Sequence, residues 1–268
     1  MSKNAKAVEA KVKELGPWFH QLDLGGGAFT RSIAPSAGPQ PLDHPLPRWH
    51  KIREVLPADM HGMSVLDVGC SDGFFSFEMA RRGAEVLAVD AQFSAIRRLR
   101  WARTQMGIRG VNALYGDIYG FNTGVTRYDK LRYWLRRGAW VAAKLLTSRR
   151  AAIFKAAPRQ FDLVFMFALL YHMKEPLLAL ERVAPLADVL LIESVAVDDE
   201  TRSCLMFQAP MPGVTDRPKW FPTTRCIKDM LQWAGYHEIR EIVGAQDQRP
   251  IYIAWKRGAD LSRWRLPV

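Results

Sequence analysis

The chain has 268 residues, 49% of them hydrophobic and 24% charged, with a formal net charge of +11 at pH 7. That length holds one large α/β domain or two small ones, and that hydrophobic share supports a packed core and excludes wholesale disorder. No apolar run approaches the ~18–20 residues of a membrane-spanning helix. The amino-terminal MSKNAKAVEAKVKELG has no signal-type apolar segment, and Cys70, Cys204 and Cys226 make no CxxC pair. The expected setting is therefore the reduced cytoplasm, with no metal site and no disulfide framework.

In chain order, residues 3–15 read as a short helix stopped by Gly16-Pro17. From 24 to 47 the chain is dense in Gly and Pro, with Gly25-Gly26-Gly27 and five prolines from Pro35 to Pro47, an irregular connection expected to lie across the main domain. This divides the chain into an N-terminal covering segment, 1–50, and a main domain, 51–268. The main domain opens with a buried strand at 64–68, a tight turn Gly69-Cys70-Ser71-Asp72-Gly73 and a helix over 74–82. A second strand, 85–89, ends at Asp90. A helix over 94–106 and a third strand at 111–114 follow. A fourth strand at 161–167 is apolar except at Asp162; beyond it come a helix over 176–183, a fifth strand at 189–193, a helix over 223–234 and two strands at 238–243 and 251–255. Strands alternating with helices predict parallel βαβ units. The expected fold is α/β: a Rossmann-like, doubly wound, mostly parallel sheet with an antiparallel edge pair at its end.

VLDVGCSDG followed by LAVD is the strongest local signal. A strand running through a glycine turn into a helix brings backbone N–H groups up to a ligand. Gly69 and Gly73 permit close approach because they carry no side chain, and Asp90, at the end of the next strand, is placed to accept both hydroxyls of a ribose. A dinucleotide site favours G-x-G-x-x-G, whereas the spacing here is G-x-x-x-G with Asp67 and Asp72 beside the turn. Carboxylates repel a pyrophosphate and suit a ligand carrying an ammonium and a sulfonium, which favours S-adenosylmethionine over NAD. A turn of this kind can also be purely architectural. After the third strand, Asp117 can take an adenine amino group while Ile118 packs on the ring, although a Gly-Asp turn is common on other grounds.

Ligands of open α/β sheets sit beyond the carboxyl ends of the strands, which puts Tyr171 and His172, just past the fourth strand, near the reacting end. His172 is a candidate general base, its ordinary pKa being near neutrality, or else a histidine bonded to backbone. Glu193, ending the fifth strand, is a second candidate base, with a structural role the stronger expectation. Methyl transfer asks chiefly for alignment, because the sulfonium is already activated.

These motifs, with LLYHMKEPLLAL (169–180), LLIESVAVDD (190–199), WFPT (220–223) and QRPIYIAWK (248–256), resemble the bacterial tRNA wobble-uridine 5-oxyacetic acid methyltransferase-like family of class I S-adenosylmethionine-dependent methyltransferases. The similarity runs from about residue 65 to 256 and is interrupted by the basic stretch. The resemblance implies cofactor contacts at Gly69, at Asp90-Ala91-Gln92, at Asp117-Ile118 and at Phe167; Asp67, Cys70 and Gly73 of the turn complete the expected cofactor set. The wobble-uridine enzymes use carboxy-S-adenosylmethionine and read its extra carboxylate with a lysine, a tyrosine and an arginine. Tyr171 and Arg249 match the last two, and the lysine falls in an amino-terminal region where the match fades. Plain methyl transfer to a hydroxyl of a small-molecule, glycan or lipid-linked acceptor is the favoured reading, with Tyr171 and His172 as catalytic candidates and Arg249 and Tyr171 holding substrate. Arg249 has a plainer reading as a surface arginine before an edge strand. A tRNA-modifying enzyme and a noncatalytic cofactor-binding subunit are the alternatives.

The charge is concentrated. Residues 121–160 carry ten Lys/Arg against Asp129 alone, +9 of the total +11. Leu131, Trp134, Leu135, Ala142, Leu145 and Leu146 share one face of a helical projection, giving a basic amphipathic helix near 128–150. A lid over the site, a membrane-surface helix that would make the protein peripheral at a membrane, and a surface for nucleic acid or another polyanion all fit.

Overall fold

The computed structural model describes residues 3–30, 45–120, 161–209 and 219–266. The expected basic helix at 121–160 and the proline-rich part of the connection, 31–44, lie outside the described residues. The strands are β1 (Ser64–Val68), β2 (Glu85–Asp90), β3 (Val111–Tyr115), β4 (Leu163–Phe167), β5 (Val189–Glu193), β6 (Leu205–Gln208), β7 (Lys219–Pro222), β8 (Glu238–Val243) and β9 (Ile251–Trp255). The helices are α1 (Lys3–Leu15), α2 (Leu46–Ile52), α3 (Phe74–Arg81), α4 (Phe93–Gln105), α5 (Pro176–Val183) and α6 (Thr224–Trp233).

Seven strands form one sheet in the order β3-β2-β1-β4-β5-β9-β8. β1 pairs in parallel with both β2 and β4, so the order of winding reverses between β1 and β4. That reversal opens a crevice at the carboxyl ends of these strands, because the loops leaving β1 and β4 turn to opposite faces. The antiparallel pair is present, with one refinement. β9 pairs antiparallel with both β5 and β8, so β8 at the edge rejoins the direction of the parallel strands.

Alternation along each strand sorts the core into two layers. On β4, Leu163, Phe165 and Phe167 face a layer built from α1 to α4 and the N-terminal segment, while Val164 and Met166 face a layer built from α5 and α6. Both faces of the central strands are covered, which is why they read as near-continuous apolar runs.

Several boundaries move. Phe161 stands outside β4 and makes an isolated bridge to Ala187. Thr223 precedes α6 as its N-cap, its hydroxyl accepting the Cys226 amide at 3.1 Å, because a β-region threonine satisfies an otherwise orphaned N–H there. Three elements were not anticipated. α2 starts within the proline-rich stretch, where Pro47 in the first turn loses no helical hydrogen bond, and it buries Trp49 and Ile52. β6 and β7 form a separate two-stranded sheet joined across its face by a Phe207–Trp220 ring contact at 5.0 Å.

The N-terminal segment shares the core of the sheet rather than lying loosely on it. Trp18 and Leu22 are buried in the α3–α4 layer. The three glycines at 25–27 all take left-handed φ angles, allowing the chain to reverse and bridge Asp23 to Phe29. Asp72 fixes this segment. Its fully buried carboxylate accepts the backbone amides of Phe19 and, at 3.1 Å, His20, and it pairs with Arg98 of α4 at 2.5 Å. Burial raises the Asp72 pKa while Arg98 and the two amides oppose that rise.

Removing one partner of such a buried pair costs about 3–5 kcal/mol. Asp72→Ala is accordingly expected to lower the urea midpoint by that equivalent. Asp72→Ala with Arg98→Met is expected to recover part of the loss but not all, since the Phe19 and His20 amides remain without their acceptor. A single variant within about 1 kcal/mol of wild type would remove Asp72 from this role.

Candidate active site

The turn after β1 is built from left-handed residues. Gly69, Ser71 and Gly73 have φ of 78°, 48° and 91°, and the amides of Gly69 and Cys70 both donate to the Val89 carbonyl, at 2.8 and 3.1 Å, tying the turn to β2. Glycine is favoured at 69 and 73 by φ, and required at 73 by packing against the fully buried Leu99 as well. A Cβ at Gly69 would meet Leu169 at 2.9 Å, and one at Gly73 would meet Leu99 at 2.6 Å. The bare Cα of Gly73 therefore admits α4 against the start of α3, where the sequence reading had assigned that space to a ligand. Ser71 occupies a conformation glycine enters more freely, and its amide is held by Asp90 at 2.9 Å.

Asp90 is positioned as expected, at the carboxyl end of β2 on the rim of the crevice. One oxygen accepts the Ser71 amide and the other accepts the Gln92 amide at 2.7 Å. A carboxylate has about four acceptor positions, so capacity remains on both oxygens. Ala91 and Gln92 are exposed on the way into α4. Asp117 accepts the Tyr119 amide at 2.9 Å, a local turn bond made by one of its two oxygens. Ile118 is buried in the α5–α6 layer, so its first contacts are with the core. Phe167 ends β4 stacked on Phe165 at 4.1 Å and against Phe75 at 5.2 Å.

Two carboxylates credited with facing a cationic ligand have protein partners instead. Asp67 alternates with Leu66 and Val68 along β1, which turns it toward α3, where it accepts the Ser76 hydroxyl at 2.5 Å. Asp72 is taken by Arg98 and the N-terminal segment. Both still contribute charge to the turn, and with Asp90 they push the buried Cys70 thiol well above its usual range, after the larger effect of burial itself.

Beyond β4 a second polar group assembles. Ala168 adopts a left-handed φ of 52°, followed by a single 3₁₀ turn, Leu170–His172. Tyr171 is buried and His172 exposed, their rings 4.1 Å apart between centroids. Arg249 is brought to the same place by Gln248, itself left-handed at φ 55°, and donates to the Tyr171 hydroxyl at 3.1 Å. Its plainer reading as a surface arginine is overturned: it also grips Glu193 through Nε and through Nη2, the latter at 3.0 Å. Glu193 is fully buried and also accepts the Ala168 amide at 2.8 Å and Arg48 Nη1. So many donors fix it as an anchor and remove it as a general base. Burial raises the Tyr171 pKa further above neutrality, with Arg249 opposing, so the phenol keeps its proton.

Arg48 was missed by the sequence reading. Its only signal was the Trp49/Ile52 apolar spacing of α2, hidden among prolines.

Residues 44–242 match a family model described as a methyltransferase domain. A tRNA U34 carboxymethyltransferase from Psychrobacter cryohalolentis is 23% identical over 273 residues, covering 91% of this chain and 66% of that protein. A ribosomal RNA small subunit methyltransferase C from Chromohalobacter salexigens is 38% identical over 84 residues, covering 30% of this chain and 24% of that protein. The chain thus spans less than two thirds of the length of these curated relatives. Among solved structures, the N-terminal domain of EvdMO1 in the presence of SAH and D-fucose superposes with a TM-score of 0.65 at 16% identity, covering 96% of this chain and 98% of that one, a likeness of fold.

The Asp67 carboxyl titrates near 7 rather than 3.8, chiefly through burial, with Ser76 opposing and Asp90 adding to the rise. Between those values the folded chain holds a proton that the unfolded chain has lost, so stability falls as pH rises from about 4 to about 7. Asp67→Asn retains an acceptor for Ser76 and cannot ionise. The melting temperature of this variant relative to wild type is expected to climb across that window and reach a gain of a few degrees by pH 8. A difference that stays constant from pH 4 to 8 in scanning calorimetry would show that Asp67 carries no buried proton.

Proposed function

Because the chain belongs to the methyltransferase domain family, we propose that it is an S-adenosylmethionine-dependent methyltransferase acting on a hydroxyl of a small-molecule, glycan or lipid-linked acceptor. The observation that carries this reading is Asp90, anchored by two turn amides yet retaining acceptor capacity at the mouth of the crevice. That capacity fits the paired hydroxyls of a ribose. Around it, the negative potential of the turn suits ammonium and sulfonium centres and opposes a pyrophosphate.

The cofactor, when bound, supplies a methyl group already activated as a sulfonium. This chain's residues have the task of placement. The 69–73 turn and Asp90 hold the adenosyl portion, Asp117 meets the base, and Phe167 with Ala168 sets the floor at the reacting end. Tyr171, kept neutral and braced by Arg249, orients the acceptor instead of moving its proton. His172, on the exposed rim beside Tyr171, takes the proton as the oxygen attacks.

A second reading has its own observation. The Arg249–Tyr171 bond is also suited to the extra carboxylate of carboxy-S-adenosylmethionine, as in the carboxymethyl transfer named for the tRNA U34 relatives. Neither reading depends on membrane insertion; among the described residues no helix is long and apolar enough to cross a membrane. The basic segment at 121–160 keeps its three proposed roles, as lid, as membrane-surface helix or as contact for a polyanion such as tRNA.

Mass spectrometry of ligand carried through native purification separates these readings. S-adenosylmethionine or its demethylated product supports the first, the carboxylated cofactor supports the second, and no adenosyl ligand together with no calorimetric binding would leave a noncatalytic subunit. Asp90→Ala is expected to weaken binding of S-adenosylhomocysteine at least tenfold in calorimetric titration. Unchanged affinity would overturn the assignment of Asp90.

A further inference from the structure

The loops leaving β3 and β4 are joined through one side chain, Tyr119. Gly116 donates its amide to the Asp90 carbonyl at 3.0 Å, so the end of β3 stays tied to the end of β2. A single 3₁₀ turn, Ile118–Gly120, follows. Ile118 is buried in the α5–α6 layer and Tyr119 packs partly against it, which seats this turn on the same layer as α5. The Tyr119 hydroxyl then bonds both peptide groups of Glu175. It accepts the Glu175 amide at 2.9 Å and donates to the Glu175 carbonyl at 3.2 Å.

A hydroxyl has a single proton to give, and here that proton is committed to Glu175. Burial raises the Tyr119 pKa, with the Glu175 amide opposing, so the proton is retained. Glu175 is the N-cap of α5 and makes no side-chain capping bond; Pro176 fills the first turn. Its peptide groups are held from outside the helix, and a donor and an acceptor on one residue fix direction as well as distance. The two ends of Tyr119 thus reach two places. Its amide goes to Asp117 at 2.9 Å, and its hydroxyl goes to a residue three positions after His172. Between His172 and Glu175 the chain is pinned by buried Met173, whose amide bonds the Leu170 carbonyl at 3.1 Å.

We propose that Tyr119 is a positioning residue that holds Asp117 and the reacting-end turn Leu170–His172 in fixed register, so that filling the base site is felt at His172. The inference rests on the methyl-transfer reading, in which Asp117 meets the base and His172 faces the acceptor. Tyr119 needs to touch neither ligand. Its contribution is alignment, which is what a reaction with an already activated methyl group asks of the protein. A tyrosine that merely staples two loops would stabilise the fold equally well, and the distinction is whether loss of the hydroxyl reaches both sites.

The test removes the hydroxyl with Tyr119→Phe, which keeps the ring, and titrates S-adenosylhomocysteine into the full chain by calorimetry. The net worth of a hydrogen bond corresponds to about threefold to tenfold in affinity, and Tyr119→Phe is expected to weaken binding by that factor. In an Asp117→Ala background the same change is expected to alter affinity by less than about twofold, because the group it positions is gone. The other end is read by NMR of the His172 ring. Adenosine, which lacks the sulfur and amino-acid portion, is expected to move the His172 signals of wild type and to move them markedly less in Tyr119→Phe. Unchanged affinity in Tyr119→Phe, an equal loss in both backgrounds, or an equal His172 response in both chains would each overturn the proposal. So would a wild-type His172 that ignores adenosine, an outcome read without any variant. Should wild type bind neither adenosine nor S-adenosylhomocysteine, the methyl-transfer reading falls instead, so the two failures are distinct.

Discussion

The buried Asp72 carboxylate holds three parts of the chain at one point: the turn after β1, α4 through Arg98, and the N-terminal segment through the amides of Phe19 and His20. Without it, the Phe19 and His20 amides would lose their acceptor, and the bond from the Phe74 amide to His20 Nδ1 at 3.4 Å would remain between this segment and α3. The two amides matter as much as the ion pair. Buried N–H groups left unsatisfied cost about 1–3 kcal/mol each, so the segment has a strong preference for this one seat.

Concentrating carboxylates at a turn has electrostatic consequences. Asp67, Asp72 and Asp90 all have raised pKa values, with burial the largest cause in each. Each is given hydrogen-bond donors that oppose the rise: Ser76 for Asp67, Arg98 and two amides for Asp72, and the Gln92 and Ser71 amides for Asp90. The same field leaves Cys70 a poor nucleophile despite its place in the turn, because a thiolate would add a further negative charge. The turn therefore reads as a binding surface for cationic chemistry and not as a reactive centre.

Local signals carried the fold because the sheet obeys local rules. Apolar runs marked β1, β2, β4 and β5 to within two residues, with glycine bounding the first two, and the 21-residue step from Gly69 to Asp90 located the rim of the crevice. What the sequence hid were contacts set by tertiary placement. Asp67 and Asp72 looked equivalent beside the glycines, yet strand alternation sends one to Ser76 and loop geometry sends the other to Phe19 and His20. Gly73 looked like room for a ligand and serves the packing of Leu99. Arg48 lay in a stretch whose prolines suggested an irregular chain, and only the docking of α2 on the sheet brings it 145 residues along the chain to Glu193. Charged pairs at such separations have no periodicity to betray them.

The two polar clusters give the crevice an electrical direction. At the β1–β2 side, carboxylates set a negative potential; at the β5–β9 side, Arg48 and Arg249 exceed Glu193 by one positive charge. On the proposed methyl-transfer reading, a cationic cofactor is drawn to the first of these ends and its reacting group is aligned over Phe167 and Ala168. Alignment of this kind lowers a barrier without a strong base, because the entropy of bringing two partners into register is met on binding. On this view the left-handed residues Ala168 and Gln248, each costing on the order of 1 kcal/mol of backbone strain, are retained because they aim the Ala168 amide and Arg249 at the same carboxylate and so fix where the positive end of the crevice lies.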